Sequence, residues 1–311
     1  MWTHIFYTEL RVDPTECPIM LTEPPLTSKT QRERIAQIMF ETFNVNALLV
    51  GSQGILPLYA EGRMSGLVLT CGDGLTHTVP VYEGYQISNG VMKASFGGKD
   101  LTHLFARLLT EQQYSFTSTT DMETVRDMKE SLCYTSRDTI SFTASSSSFQ
   151  PQDFLESPPP QHNTNKKNNN IYKLPDGKTI SVGDSILTRC AEALFQPSLL
   201  LGIESLGVHH MIKDAIKRCP VDTRRTLYNS VVLSGGTTLL SGFSERLAGE
   251  LQRTLALPAT VRASPERLFS TWIGASVFAS ATHIGFSTRQ EYEEDGPTAV
   301  HKRCTHETFH N

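Results

Sequence analysis

Residues 69–85 read LTCGDGLTHTVPVYEGY: two apolar, β-branched runs joined by Gly72-Asp73-Gly74. Leu67, Leu69 and Cys71 alternate, then Leu75, His77, Val79 and Val81, which predicts a hairpin over 66–84. Its turn has two readings. An Asp-Gly pair is an ordinary hairpin connection. Glycines also let a backbone approach a ligand, and successive amides in such a turn can face an anion. Asp73 between them can hold a metal ion's water shell or orient a nucleophilic water.

A second glycine device lies far along the chain. Residues 229–255, NSVVLSGGTTLLSGFSERLAGELQRTL, read as strand, glycine pair, helix. Phe243, Leu247, Leu251 and Leu255 mark the inward face of that helix. Gly235-Gly236, with Thr237 and Thr238 at the expected helix start, would offer free amides to phosphate. A threonine-capped strand–helix turn is the plainer reading. Two such devices in one chain favour a phosphate ligand held between them. Their spacing matches neither a Walker loop nor a dinucleotide fingerprint. Arg126, Lys129 and Glu130 share one helix face, fit either to line a nucleoside or to form a solvated salt-bridge surface.

The remaining pattern interleaves strands and helices, so the fold class is α/β. A helix is expected over 28–43, with Ser28 and Gln31 as a capping box. A buried strand follows at 47–50. Further helices are expected over 100–113 and from Thr120, the latter with Glu123 completing a capping box. Residues 143–170, with SSSS, SPPP and NTNKKNNN, bury too little to offset ordering entropy and read as a flexible surface insertion. Pro175-Asp176-Gly177 reads as a turn between two strands.

With 311 residues, one or two domains are expected. A net charge of −4 without a large basic block argues against nucleic acid as the main partner. The six cysteines are dispersed, which argues against zinc and for buried thiols in a reducing compartment. Neither a leader peptide nor an apolar run long enough for a membrane is read. A soluble intracellular protein is expected.

The segments FYTELRV, LTEPPL, QIMFETFN, LYAEGR, GDGLTHTVPVYEGY, GKDLT, YSFTSTT, RDMKESLCY, LPDG, EALFQPS, VVLSGGTT, WIGAS and QEYEEDGP, in this order, closely resemble the actin family. The resemblance runs from residue 2 to Cys304, apart from the low-complexity insertion. It implies an actin-like, ribonuclease H-like fold of two lobes around a cleft for ATP with Mg2+ or Ca2+. Its division of the chain is 1–60 plus 270–304 for the first lobe, 61–96 plus 204–269 for the inner second lobe, 97–203 for the outer second lobe, and a tail at 305–311. By position, Gly72, Asp73 and Gly74 resemble the second phosphate loop, with Asp73 reaching the metal through water. Gln53 and His77 resemble the pair that orients the attacking water. Gly98, Arg126, Lys129 and Glu130 resemble the nucleoside-facing set, and Gly235, Gly236 and Thr237 the loop under the nucleotide.

The departures matter as much. Trp2 already matches the middle of the family's first half. The resemblance therefore implies an incomplete first lobe, without the first phosphate loop or the mobile contact loop. Thr70 stands where the family pattern has an aspartate, Leu268 where it has lysine and Leu240 where it has tyrosine. A threonine supplies no negative charge to a cation's shell. The expected function is a cytoplasmic, cytoskeletal actin-like protein with a partial ATP cleft and at most weak ATPase activity. The alternatives are a non-enzymatic scaffold or interaction subunit, and an N-terminally incomplete product of a full actin-like ATPase. Actin and actin-binding proteins are candidate partners: Tyr59, Gly62 and 276–284 lie near the family's partner groove. The 276–284 segment is two residues shorter and less apolar than the family pattern, which argues against familiar partners and leaves the insertion and the tail as distinguishing surfaces.

Overall fold

The computed structural model describes residues 1–136, 170–255, 259–280 and 285–303. All but Asn170 of the 143–170 insertion lies outside the described residues, as do the 305–311 tail and part of the 276–284 segment. In chain order the strands are β1 (Pro18–Glu23), β2 (Ala47–Ser52), β3 (Gly66–Cys71), β4 (Thr76–Tyr82), β5 (Tyr85–Gln86), β6 (Met92–Ala94), β7 (Ile171–Lys173), β8 (Thr179–Ser181), β9 (Val231–Ser234), β10 (Val261–Arg262) and β11 (Ser287–Thr288). The α-helices are α1 (Trp2–His4), α2 (Lys29–Gln37), α3 (Leu56–Ala60), α4 (Gly98–Glu111), α5 (Thr119–Leu132), α6 (Asp184–Glu192), α7 (Pro197–Leu200), α8 (Val208–Lys217), α9 (Val221–Tyr228), α10 (Phe243–Leu255), α11 (Ser270–Ala279) and α12 (Arg289–Asp295).

Two main sheets form. In the first, β2 is central, parallel to β1 and antiparallel to β11. Its core gathers Phe6, Met39, Phe40, Phe43, Leu48, Val50 and Val300. The second sheet runs β10-β9-β3-β4-β5, with β6 also on β4. Every residue of β3 is buried, because both faces of the sheet are covered. Leu67, Leu69 and Cys71 pack into the large core with α4, α5, α6, α8 and α10. Val68 joins Val79, Val81 and Val232 under Ile55 and Leu58 of the α3 region. The hairpin expected over 66–84 is β3–β4, and the Pro175-Asp176-Gly177 turn joins β7 to β8.

Helix α11 lies on α3 so closely that a Cβ on Gly274 would stand 1.8 Å from the Leu56 carbonyl oxygen. Only glycine allows that approach, which brings two helices over 200 residues apart in sequence into backbone contact.

Local chemistry explains the helix starts. Ser28 and Gln31 form the expected capping box on α2, but the helix passes into a π-helical segment at Ile38–Thr42. Helix α5 begins one residue before the expected start. Its cap is Ser118, whose Oγ accepts from the Asp121 amide at 3.0 Å while the Asp121 carboxylate accepts from the Ser118 amide at 2.9 Å. The Glu123 carboxylate pairs with Arg126 at 2.6 Å. The glycine pair after β9 does not open an α-helix. Gly235, at φ +90°, redirects the chain into a short 3-10 turn, Gly236–Leu239, and α10 starts only at Phe243.

Behind these elements, α6 and α10 are locked by charge. Arg246 is almost fully buried and donates to both Glu192 carboxylate oxygens at 2.8 Å, to Glu250 at 2.9 Å and to the Ser136 carbonyl at 3.0 Å. Its guanidinium also lies 4.7 Å from the centre of the Phe195 ring.

Candidate functional site

Strand register brings the two glycine devices together. β3 and β9 are parallel neighbours, with Thr70 opposite Ser234. Both chains therefore leave the sheet at the same edge, Gly72 two residues past Thr70 and Gly236 two past Ser234. Loops at the carboxyl ends of adjacent parallel strands form the usual ligand crevice of open α/β sheets.

Hydrogen bonds clamp the loops to each other. The Gly72 carbonyl accepts from the Gly98 amide at 2.9 Å and from Thr237 Oγ1 at 2.8 Å. The Asp73 carbonyl accepts from the Lys99 amide at 2.8 Å. A Cβ on Gly97 would meet the Asp73 and Gly72 carbonyl oxygens at 2.5 and 2.7 Å, so α4 can start here only on glycine. With the Gly72 and Asp73 carbonyls held, the Asp73 and Gly74 amides make no hydrogen bond among the described residues. Lys129 is buried, and its Nζ donates to the Gly98 carbonyl and Thr102 Oγ1, both at 3.0 Å. This lysine ties α5 to the start of α4 rather than extending into solvent.

Between the loops lies a cavity of about 450 Å3, lined by Gly72, Asp73, Gly98, Lys129, Glu130, Gly236, Thr237, Leu239, Leu240 and Leu268. Small-molecule sites span roughly 300–1,000 Å3. Glycine keeps this cavity open. A Cβ on Gly98 would come within 2.8 Å of Thr237 Oγ1 and 3.4 Å of Asp73 Oδ1, and one on Gly236 within 3.1 Å of Leu268 Cδ1.

The other expected residues stand elsewhere. Gly235 packs under the loop, where a Cβ would strike the Cys71 carbonyl oxygen at 2.3 Å. Gly74 has open space around it at the hairpin tip. Arg126 lines a neighbouring polar hollow with Lys99, His103 and Ser118, and pairs with Glu123. Gln53 sits just before α3, with its amide donating to the Glu23 carbonyl at 2.9 Å and its Nε2 to Thr22 Oγ1 at 3.2 Å. His77 stands opposite Thr70 on β4 and is buried. Neither of its ring nitrogens has a hydrogen-bond partner, and neither does Thr70 Oγ1. Gln53 and His77 are thus not hydrogen-bonded to each other. Gly54, next to Gln53, packs on Val79, two residues beyond His77: a Cβ there would fall 2.4 Å from Val79 Cγ2.

Burial sets the electrostatics. Desolvation, with Lys93 nearby adding repulsion, lowers the His77 imidazole to about 4. His77 is therefore neutral near pH 7 and a weak base, able to accept a hydrogen bond but poorly suited to hold a proton. Burial pushes the Cys71 thiol up to about 12, so it is no thiolate nucleophile. The cavity wall carries two carboxylates, Asp73 and Glu130, against Lys129. No group of three or more metal-ligating side chains occurs among the described residues. The glycine cradle and free amides fit a nucleotide; a divalent ion would be held by phosphate oxygens and water, with Asp73 at the loop.

Arg267 was not singled out by sequence reasoning. Its carbonyl accepts from the Gly235 amide at 3.0 Å, and its guanidinium donates to Thr238 Oγ1 and the Thr238 carbonyl, both at 3.1 Å. It fixes the 235–238 turn from behind. It lies some thirty residues away in no recognisable motif, so only the fold reveals it. Leu239 was also missed; nothing in a leucine pair distinguishes a cavity wall from a core.

Among the described residues, no helix is long and apolar enough to cross a membrane. A family model described as Actin matches residues 1–305.

Proposed function

The chain belongs to the actin family, and we propose that it is a cytoskeletal, cytoplasmic actin-like protein whose cleft binds ATP weakly and hydrolyses it slowly or not at all. One observation carries the reading. Gly72-Asp73 and Gly236-Thr237, over 160 residues apart in sequence, line one cavity and are joined by the Thr237–Gly72 bond.

In this reading the Asp73 amide, at the cavity wall, and the neighbouring Gly74 amide at the hairpin tip would receive phosphate oxygens, Gly98 and Gly236 would admit the ligand, and Lys129 holds α4 and α5 in register. Mg2+ or Ca2+, when bound with ATP, would supply charge neutralisation of the phosphates, with Asp73 facing its water shell. Weak affinity is expected because the lining charges sum to one negative and Lys129 is already committed to protein acceptors.

Slow chemistry is expected for a separate reason. Water attack needs a base and an orienting group within hydrogen-bond reach of one water. Here the Gln53 side chain is bonded to Thr22, and buried His77 meets Thr70, a hydroxyl, across the strand pair. The same observation favours a second reading, a non-enzymatic subunit that works through actin or actin-binding partners. Titration of ATP with Mg2+ into the purified chain, followed by phosphate release over hours, separates the two. Binding with measurable release supports the weak ATPase, and binding without release supports the scaffold. Tight, micromolar, Mg2+-dependent binding contradicts the weakened cleft.

A further inference from the structure

The chemistry of the cavity wall changes from one side to the other. Around Gly98 it is polar: Asp73 Oδ1, Lys129 Nζ and Thr237 Oγ1 all stand within 3.5 Å of where a Cβ on Gly98 would lie. Past Gly236 the wall is Leu239, Leu240 and Leu268. Leu268 Cδ1 lies against Gly236, whereas Lys129 and Glu130 belong to α5. Leu240 is buried, while Leu239 is 40% and Leu268 48% exposed, so this side is an apolar slot open at its mouth.

A flat aromatic base fits such a slot by covering apolar surface. Its hydrogen-bonding edge would remain at the open mouth, in water. Leucine side chains have no donor or acceptor with which to tell the amino group of adenine from the carbonyl of guanine. The strong discrimination that polar sites achieve comes from buried groups left unpaired by the wrong ligand. The leucine side chains have no such group to leave unpaired.

Building on the nucleotide reading above, we propose that this cleft is selective for purines as a class but indifferent between them, taking ATP and GTP equally. A pyrimidine covers less of the leucine wall and binds less well.

Calorimetric titration of the full chain with ATP, GTP and CTP, each with Mg2+, tests this. ATP and GTP dissociation constants within fivefold of each other, with CTP at least fivefold weaker than both, are expected. Leu268→Ala, at a half-exposed position that does not threaten folding, should weaken ATP and GTP in step by about threefold, leaving their ratio unchanged. A preference of fivefold or more between ATP and GTP, equal binding of CTP, or a ratio changed by Leu268→Ala overturns the inference while leaving the cleft reading intact. Absence of binding by every nucleotide at millimolar concentration overturns both.

Discussion

The Oγ1 of Thr237 donates a hydrogen bond of 2.8 Å to the carbonyl of Gly72, joining two loops that leave parallel strands side by side. The bond matters because the Gly72 carbonyl also receives the Gly98 amide, so one oxygen gathers three segments at the cavity wall. Thr237→Val keeps the shape and removes the donor. A net contribution of about 1 kcal/mol is expected from such a bond. Chemical denaturation should show a stability loss of that size, and nucleotide affinity should fall by about tenfold as the loops lose register.

Gly98 is the residue whose missing side chain keeps the cavity accessible. A Gly98→Val substitution would put carbon against Thr237 Oγ1, Asp73 Oδ1 and Lys129 Nζ. It should abolish measurable ATP binding in titration calorimetry. The far-ultraviolet circular dichroism should stay that of the parent, since the affected atoms lie at the wall and not within the apolar core.

His77 gives the protein a characteristic acid sensitivity. Its folded-state pKa, about 4, lies below the ordinary 6.5 because burial disfavours the charged ring. Above pH 6.5 both folded and unfolded forms are neutral and nothing is lost. As pH falls from 6.5 towards 4 the unfolded chain takes up the proton first, and stability declines by up to about 3 kcal/mol. His209, likewise lowered to about 4 chiefly by burial and then by His210, adds a similar loss over the same window. Urea midpoints at pH 7 and pH 5 should differ accordingly. His77→Leu should narrow the difference. It should also raise stability at pH 7, because it removes two buried ring nitrogens that have no partner.

Arg246 and Glu192 form the buried ion pair that joins α6 to α10. Glu192→Ala removes the two shortest charge-assisted bonds of a buried guanidinium that keeps Glu250 and the Ser136 carbonyl. Hydrogen bonds to charged groups are worth about 1.5–3 kcal/mol each, so a loss of about 3 kcal/mol is expected. Equilibrium denaturation should show that cost, with ATP affinity little changed, since neither residue lines the cavity.

Much of this fold was legible from local pattern. The β3–β4 hairpin, the Ser28 capping box and the turn at Pro175-Asp176-Gly177 all rest on short-range rules of periodicity, capping and glycine conformation. The α5 cap is Ser118 with Asp121 and not Thr120 with Glu123; both pairs offer the same spacing, and spacing alone does not choose between them. The two glycine loops were readable one at a time. Their meeting depends on the parallel pairing of β3 with β9, a long-range register that no local motif carries. Lys129 reads as a surface cation on helical spacing alone, yet it is buried because α4 begins at Gly98 and offers it two acceptors. Arg267 is invisible to local pattern for the same reason: the turn it fixes lies about thirty residues away and becomes its neighbour only in the folded chain.

The central claim is that one nucleotide sits between residues 71–75 and 234–238. Hydrogen–deuterium exchange of the full chain, with and without millimolar ATP and Mg2+, reads both loops at once. The prediction is that peptides covering Asp73–Gly74 and Gly236–Thr237 gain protection together, over the same range of ATP concentration. Protection of one loop without the other, or of neither while ATP binds elsewhere, would contradict it.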